Sequence, residues 1–291
     1  MIVCLSGTPK SMLEGLAREC HRKVYTPFRK IFPDGEQYVR FDYEDTLDGV
    51  YIVQSMFPDQ DKKVVELYLS LEALLGLGAR IDGLVLLYTA YARQDKRFIR
   101  GEPISVKAIY QGLKLLGVSK IITIDVHSLQ PFIDMGFNVI NILPHGYMIA
   151  RAGLKIDMVL APDKGAIARA EKAAKMIGVP YDHLDKFRDR VTGEISIDAK
   201  ALDVKGKNIV IVDDIISTGK TVAKSAELLY KAGAERVYVA VSHALVSNET
   251  VDILSKAGIA KMLIANTIEQ KISLPNWIEV VDISRKLCEV L

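Results

Sequence analysis

Short runs of aliphatic and β-branched residues alternate with amphipathic helical segments along almost the whole of this 291-residue chain. Such alternation predicts βαβ units, in which parallel strands form a sheet and the intervening helices cover its faces. The predicted strands are residues 49–55, 83–88, 120–125, 157–161, 208–213 and 236–242. The predicted helices are residues 63–75, 105–116, 167–177, 221–231 and 250–256. The fold class is therefore predicted to be α/β.

Two segments of the chain, 105–128 and 220–244, follow the same plan of helix, glycine, basic residue, apolar strand and histidine. Ten residues separate Gly117 from His127, and ten separate Gly233 from His243. At roughly 150 residues per domain, the length suits two domains. We therefore predict two related doubly wound domains with mainly parallel sheets, 1–143 and 144–291, the last residues being free to pack back on the first domain. The alternative, that any two βα units look alike at this level, stays open.

Charge and cysteine usage narrow the class of protein. Subtracting 36 acidic from 38 basic side chains leaves +2, too little for a protein that binds nucleic acid by neutralising phosphates. No apolar run approaches the roughly 18 residues of a membrane span. Cys4, Cys20 and Cys288 are far apart and form no CxxC pair, so neither a disulfide framework nor a zinc site is expected. These features predict a cytoplasmic protein that binds small anions, without nucleic-acid or membrane partners.

The strongest local signal is residues 208–221, NIVIVDDIISTGKT, a buried strand that ends in two acids and leads through a hydroxyl-rich loop into a helix. The free amides and the positive end of the dipole at the start of a helix can bind a phosphate. Carboxylates at the end of a strand can accept hydrogen bonds from sugar hydroxyls. An NTPase phosphate loop would need glycine where Asp214 stands. The segment therefore favours a sugar phosphate, although a simple helix cap is the alternative. The predicted binding residues are Asp213, Asp214, Ser217, Thr218, Gly219, Lys220 and Thr221.

Two other segments carry groups suited to a nucleotide. Residues 32–36, FPDGE, offer an aromatic face for a base and acids for amino or hydroxyl groups, although Pro-Asp-Gly alone is a common turn. Arg93 and Gln94 follow a predicted strand, and arginine can clamp a polyphosphate through two hydrogen bonds. The predicted nucleotide-binding residues are Phe32, Asp34, Gly35, Glu36, Arg93 and Gln94.

Metal ligands and catalytic cations are predicted in three further places. Asp125 and His127 share one side if their strand continues, and they could hold a magnesium ion bound to ATP, although magnesium prefers oxygen ligands. Asp163 follows another strand and could bind a second magnesium ion. Lys186 and Arg188 alternate in a segment that reads as a hairpin or mobile arm, so both cations could reach one phosphoryl group. Solvated charge and ordinary turns are the alternatives. His21, His145, His183 and His243 show no metal-ligand spacing and are taken as structural.

The 212–221 segment resembles the phosphoribosyl-diphosphate loop of the type I phosphoribosyltransferase superfamily. Four further segments, FPDGE (32–36), YARQDK (91–96), DVHS (125–128) and LDKFR (184–188), resemble the ribose-phosphate diphosphokinase family in the same order and at similar spacings. The resemblance implies transfer of the diphosphoryl group of ATP to ribose 5-phosphate with Mg²⁺. It also implies that Lys186 and Arg188 are catalytic, that Arg188 contacts ribose 5-phosphate, and that the 32–36 hairpin reaches a neighbouring subunit in a homodimer or larger assembly.

Two rival functions stay open from the sequence. A phosphoribosyltransferase shares the 213–221 loop but consumes the diphosphate product. A catalytically silent regulatory relative would bind nucleotide and partner subunits without turnover, but it would not require Asp125, His127, Lys186 and Arg188 together.

Overall fold

The computed structural model describes residues 1–43, 48–188, 195–198 and 203–291, and of the strands Asp185–Arg188 and Ile195–Asp198 it describes the backbone alone. These residues form two compact units. Unit 1 comprises Met1–Ile142, Asn266–Glu269 and Asp282–Leu291, and unit 2 comprises Leu143–Ala265 and Gln270–Val281.

Unit 1 is built on a six-stranded parallel sheet. Its strands are β1 (Ile2–Cys4), β2 (Val24–Tyr25), β5 (Val50–Ser55), β6 (Ile81–Tyr88), β7 (Lys120–Ile124) and β8 (Asn138–Ile142), and an antiparallel hairpin of β3 (Phe28–Ile31) and β4 (Gln37–Arg40) stands apart from the sheet. Its helices are α1 (Lys10–Glu19), α2 (Gln60–Gly76), α3 (Ser105–Tyr110, continued by a 3-10 turn over Gln111–Lys114), α4 (Gln130–Asp134) and α9 (Ser284–Cys288). The sheet order is β2-β1-β5-β6-β7-β8.

Unit 2 repeats this plan. Its sheet contains β9 (Met158–Ala161), β10 (Tyr181–His183), β13 (Asn208–Ile216), β14 (Arg236–Ala244), β15 (Ile259–Ala265) and β16 (Ile278–Val281) in the order β10-β9-β13-β14-β15-β16, all parallel. Its helices are α5 (His145–Arg151), α6 (Ile167–Ile177, preceded by a 3-10 turn over Lys164–Ala166), α7 (Lys220–Lys231) and α8 (Asn248–Lys256). Strands β11 (Asp185–Arg188) and β12 (Ile195–Asp198) form a separate antiparallel pair.

The strand order is the same in the two units, so the prediction of two related doubly wound folds is confirmed. In each sheet the direction of winding changes between the first strand and its inner neighbour: β1 and β5 in unit 1, β9 and β13 in unit 2. Ligands of such sheets bind outside the carboxyl ends of the strands at this switch point. Ligand-binding residues are therefore expected at the carboxyl ends of β9 and β13.

Both sheets are buried by aliphatic side chains. All six residues of β5 are buried, as are the eight residues of β14 after Arg236. At about 25 cal/mol per Å² of apolar area removed from water, strands covered on both faces contribute strongly to stability. The helices of the described residues are each too short or too polar to cross a lipid bilayer.

The C-terminal segment of unit 1 is covalently joined to α1. Cys20, which follows α1, and Cys288 in α9 form a disulfide with a Cα–Cα distance of 5.2 Å across 268 residues of sequence. Arg18 also pairs with Asp282 at 2.7 Å. The expectation that the cysteines form no disulfide is therefore wrong. Sequence spacing failed as a criterion because the chain returns to its first helix only after completing unit 2.

Candidate active site

The loop after β9 forms one side of the switch point in unit 2. Asp163 has an extended backbone, and its Oδ1 accepts a hydrogen bond from the Gly165 N–H at 2.9 Å. This bond starts the 3-10 turn that leads into α6. The half-buried carboxylate of Asp163 is therefore held at the carboxyl end of the sheet, where an oxygen ligand for Mg²⁺ is useful.

Two adjacent acids lie in β13 on the other side of the switch point. The strand runs on to Ile216, so Asp213 and Asp214 lie within it, three and two residues before its end. The Asp213 Oδ1 accepts from the Asp214 N–H at 2.9 Å. Burial, with the neighbouring Asp214, raises the pKa of Asp213 well above its usual value, although the Arg169 guanidinium acts in the opposite direction. The pair therefore binds a proton more readily than two isolated carboxyls would.

Arg169 connects these two sides. It lies on α6 with only 9% of its surface exposed, its Nη2 lies 3.2 Å from Asp214 Oδ2, and its Nη1 donates to the Gly165 carbonyl at 3.1 Å. The sequence reasoning did not identify this residue. A detectable signal was present, because Arg169 falls on the stripe of α6 that otherwise consists of buried alanines, namely Ala170, Ala173 and Ala174.

His145 holds strand β13 through a hydrogen bond to its backbone. It is fully buried at the start of α5, and its Nε2 lies 2.9 Å from the Asp213 carbonyl oxygen and 3.2 Å from Ser242 Oγ. Because a carbonyl only accepts, the Nε2 atom must carry the proton in that hydrogen bond. His145 therefore holds the backbone of the acid pair.

The loop between β13 and α7 has the geometry of an anion site. Gly219 caps α7 with φ +76°, a conformation that favours glycine, and as the N-cap it provides no side chain for the first amides of the helix. The Thr250 Oγ1 donates to the Ser217 carbonyl at 3.0 Å and holds the loop. Ser217, Thr218 and Lys220 are exposed, so amides and hydroxyls are available to a phosphate.

In unit 1 the strand before Asp125 ends one residue earlier than predicted. Strand β7 ends at Ile124, and Asp125 has φ +43°, so the strand alternation does not continue. Asp125 is 1% exposed, whereas His127 is exposed. The condition for Asp125 and His127 to share one side, a continuing strand, is therefore not met. Among the described residues, no three His, Cys, Asp or Glu side chains form a group able to hold a metal ion.

Mg²⁺ is commonly held by one or two carboxylates together with substrate phosphates and water, without an all-protein cage. Of the three predicted ligands, Asp163 meets this requirement best, because its carboxylate is partly accessible and lies at the switch point. Asp125, whose carboxylate is buried, and His127, which offers a nitrogen ligand, suit Mg²⁺ less well.

The residues of unit 1 that are predicted to bind the nucleotide lie on the loop after β6 and on the β3–β4 hairpin. Arg93 is exposed after β6, while the Gln94 Oε1 accepts from Ser105 Oγ at 2.6 Å. Phe32 and Glu36 close the β3–β4 turn through Phe32 N–H to Glu36 carbonyl at 2.8 Å.

The same hairpin has an accessible tip and a tethered base. Gly35 adopts φ +96°, and the Asp34 Oδ1 accepts from the Glu36 N–H at 3.1 Å. Phe32 is exposed at the tip, and at the base Arg29 pairs with the buried Glu66 at 3.3 Å. The aromatic ring of Phe32 and the carboxylates of Asp34 and Glu36 are therefore accessible at the tip of the hairpin.

The predicted catalytic arm of unit 2 is an antiparallel hairpin. Lys186 pairs with Ile197 and Arg188 with Ile195, so positions 186 and 188 share one face of β11. The hairpin prediction for the backbone is confirmed. The side chains of Lys186 and Arg188 lie outside the part of the chain that the structure describes.

The repeated sheet and the loop after β13 define an α/β protein of the phosphoribosyltransferase class. The family model "Phosphoribosyl transferase domain" matches residues 147–270, and "N-terminal domain of ribose phosphate pyrophosphokinase" matches residues 1–117. The chain belongs to the ribose-phosphate pyrophosphokinase family.

Relatives over the full length support this assignment. The chain is similar to the ribose-phosphate pyrophosphokinase of Sulfolobus acidocaldarius, with 32% identity covering 98% of this chain and 99% of the relative. Identity to the Saccharolobus solfataricus enzyme is 38%, covering 92% of this chain and 93% of the relative. A crystal structure of phosphoribosylpyrophosphate synthetase from Mycobacterium smegmatis superposes with a TM-score of 0.81 at 27% identity, covering 99% of this chain and 96% of that one.

Proposed function

We propose that this chain is a ribose-phosphate pyrophosphokinase that converts ATP and D-ribose 5-phosphate into AMP and 5-phospho-α-D-ribose 1-diphosphate for nucleotide biosynthesis. The observation that carries the proposal is the switch point of unit 2, where two adjacent carboxyls in β13 are followed by an exposed, hydroxyl-rich loop at the start of α7. Asp213 and Asp214 bind the ribose hydroxyls, and residues 217–221 bind the 5-phosphate. Unit 1 supplies the ATP residues Phe32, Asp34, Gly35, Glu36, Arg93 and Gln94.

In the proposed reaction, the anomeric hydroxyl oxygen attacks the β-phosphorus of ATP. The bond from that phosphorus to the α–β bridging oxygen breaks, AMP leaves with the electron pair, and the hydroxyl proton passes to solvent. Lys186 and Arg188 neutralise the negative charge that spreads over the nonbridging oxygens. Mg²⁺, when bound, would neutralise charge on the transferred diphosphoryl group. Asp125 and His127 are the proposed ligands of a magnesium ion on ATP, and Asp163 is the proposed ligand of a second magnesium ion.

Product analysis tests the proposal. Purified protein with ATP, MgCl₂ and ribose 5-phosphate should form AMP and the ribosyl diphosphate in equal amounts, as followed by ³¹P NMR and nucleotide chromatography. A phosphoribosyltransferase would instead need a nucleobase and release no AMP. A silent regulatory relative would bind ATP in a calorimeter without forming AMP, and either result would reject the proposal.

We also propose a homodimer or larger assembly in the cytoplasm. Phe28, Ile31 and Phe32 are exposed on one hairpin, and large apolar side chains gathered in one place favour a protein partner. Light scattering of the purified protein tests self-association.

A further inference from the structure

Arg169 is a cation placed where the fold provides an apolar environment. It lies on the buried stripe of α6 beside Ala170 and Ala173, and only 9% of its surface is exposed. Burying a guanidinium is costly unless hydrogen bonds and an opposite charge compensate it. The compensating groups therefore indicate what the residue contributes.

Those groups belong to strand β13 and to the turn after β9, on the two sides of the switch point of unit 2. Nη2 contacts the Asp214 carboxylate of β13 at 3.2 Å, and Nη1 donates to the Gly165 carbonyl at 3.1 Å. The Gly165 N–H in turn donates to the Asp163 carboxylate at 2.9 Å. One planar guanidinium thus contacts a carboxylate of β13 and a peptide of the turn after β9 at the same time.

We infer that Arg169 is a positioning residue for ribose 5-phosphate, which holds the Asp214 carboxylate in the orientation that accepts the sugar hydroxyls. This inference rests on the proposed function. Arginine suits the task because its rigid fork can bind two acceptors at once, whereas the point charge of lysine does not fix a plane. The raised pKa of Asp213 is consistent with this arrangement, because burial and an ionised neighbouring carboxyl raise it.

Replacement of Arg169 should weaken the binding of ribose 5-phosphate and not that of ATP. The Arg169 side chain contacts Asp214, a proposed ribose 5-phosphate residue, whereas the proposed ATP residues lie in unit 1 and Asp163 keeps its own hydrogen bond from the Gly165 N–H. Loss of Arg169 should therefore raise the KM for ribose 5-phosphate and leave the KM for ATP nearly unchanged. A purely structural arginine would instead lower the fraction of folded enzyme, which reduces kcat without separating the two KM values.

The experiment compares Arg169→Met and Arg169→Lys with the wild type. Lys175→Met is the matched control, because it removes an exposed cation from the same helix. Arg169→Met should raise the KM for ribose 5-phosphate about tenfold or more, with the KM for ATP within about twofold. Arg169→Lys keeps the charge and should recover part of that loss, and Lys175→Met should match the wild type.

Calorimetric titration of ribose 5-phosphate into each folded variant, judged folded by its circular dichroism, measures the same effect without turnover. Weaker binding in Arg169→Met, partly restored in Arg169→Lys, supports the inference. Unchanged ribose 5-phosphate affinity in Arg169→Lys and Arg169→Met, or a fall in kcat alone that follows the folded fraction, overturns it. Absence of product with the wild-type enzyme would overturn the proposed function instead, which the wild-type assay reveals separately.

Discussion

Residue type and surroundings contribute separately to the chemistry of the proposed site. Asp213 and Asp214 are identical side chains one position apart, yet Asp214 faces the Arg169 guanidinium while burial raises the pKa of Asp213. Neighbours in space therefore give the two carboxyls different properties.

Lys186→Ala should reduce kcat roughly 100-fold or more, because a cation that stabilises a phosphoryl transition state typically contributes about 3 kcal/mol or more. Steady-state formation of AMP measures the effect. Lys231→Ala, which removes an exposed lysine from the last turn of α7, is the control and should leave kcat unchanged. Wild-type turnover in Lys186→Ala would show that the catalytic role is misassigned.

Gly219→Ala should destabilise the protein by about 1–2 kcal/mol, because φ +76° forces a β-carbon into the left-handed region. The added β-carbon would also lie 3.1 Å from Leu254 Cγ. Urea unfolding measures the change. Gly76→Ala is the control, since no heavy atom lies within 4 Å there and its φ is not positive, so we expect no loss or a gain of up to about 1 kcal/mol. Equal changes in the two variants would contradict the argument.

At the scale of elements, the C-terminal segment is held to α1 by polar contacts as well as by the disulfide. Asp282 accepts from Asn266 Nδ2 at 3.0 Å and from the Ser284 N–H at 2.9 Å, and it pairs with Arg18. Burial acts to raise the pKa of Asp282, but these hydrogen bonds outweigh burial and the pKa is lowered. The segment is therefore stabilised by an ionised carboxylate.

This lowered pKa predicts a pH dependence with a definite sign. An acid with a folded-state pKa below its unfolded value of about 3.9 stabilises the fold above that pH, and the stabilisation is lost as the pH falls through the folded-state pKa. The difference in unfolding free energy between the wild type and Asp282→Asn should be constant above about pH 5 and shrink below about pH 4. Urea titrations from pH 3.5 to 6 provide the measurement. A difference that stays constant throughout would exclude this contribution.

Across the whole molecule, the disulfide closes a loop that spans nearly the entire chain. Cys20→Ser and Cys288→Ser should each lower the unfolding free energy by about 3–5 kcal/mol, because cross-linking distant residues restricts the unfolded chain. The double variant should lose no more than either single variant, since one bond is lost in every case. Additive losses would argue against the bond.

Thiol counting provides an independent check on the same bond. Cys4 is buried, and burial raises its pKa to about 12, so it should not react in the native protein. Denatured protein without reductant should show one thiol, and reduced denatured protein should show all three cysteines. Three thiols before reduction would contradict the disulfide.

Local pattern predicted much of this architecture. The helix at 167–177 was predicted with the observed bounds, and the two-domain α/β class followed from alternating periodicities that neighbours in sequence create by themselves. The chain's three-residue β1 and the half-buried β8 were missed, because short strands carry little pattern of their own. The motif after β13 is a local property too, since its hydroxyl residues, glycine and lysine follow one another in sequence.

Tertiary structure alone decided the features that depend on distant segments meeting. The pairing of Arg169 with Asp214, the hydrogen bond from His145 to the Asp213 carbonyl, and the joining of Cys20 to Cys288 all link segments that sequence spacing does not relate. The turn at Asp125 likewise depends on the fold, because its amide is bonded to the Ile142 carbonyl of the next strand. Periodicity and motif order are properties of neighbouring residues, whereas charge pairing and burial are set only when the sheet brings its loops together.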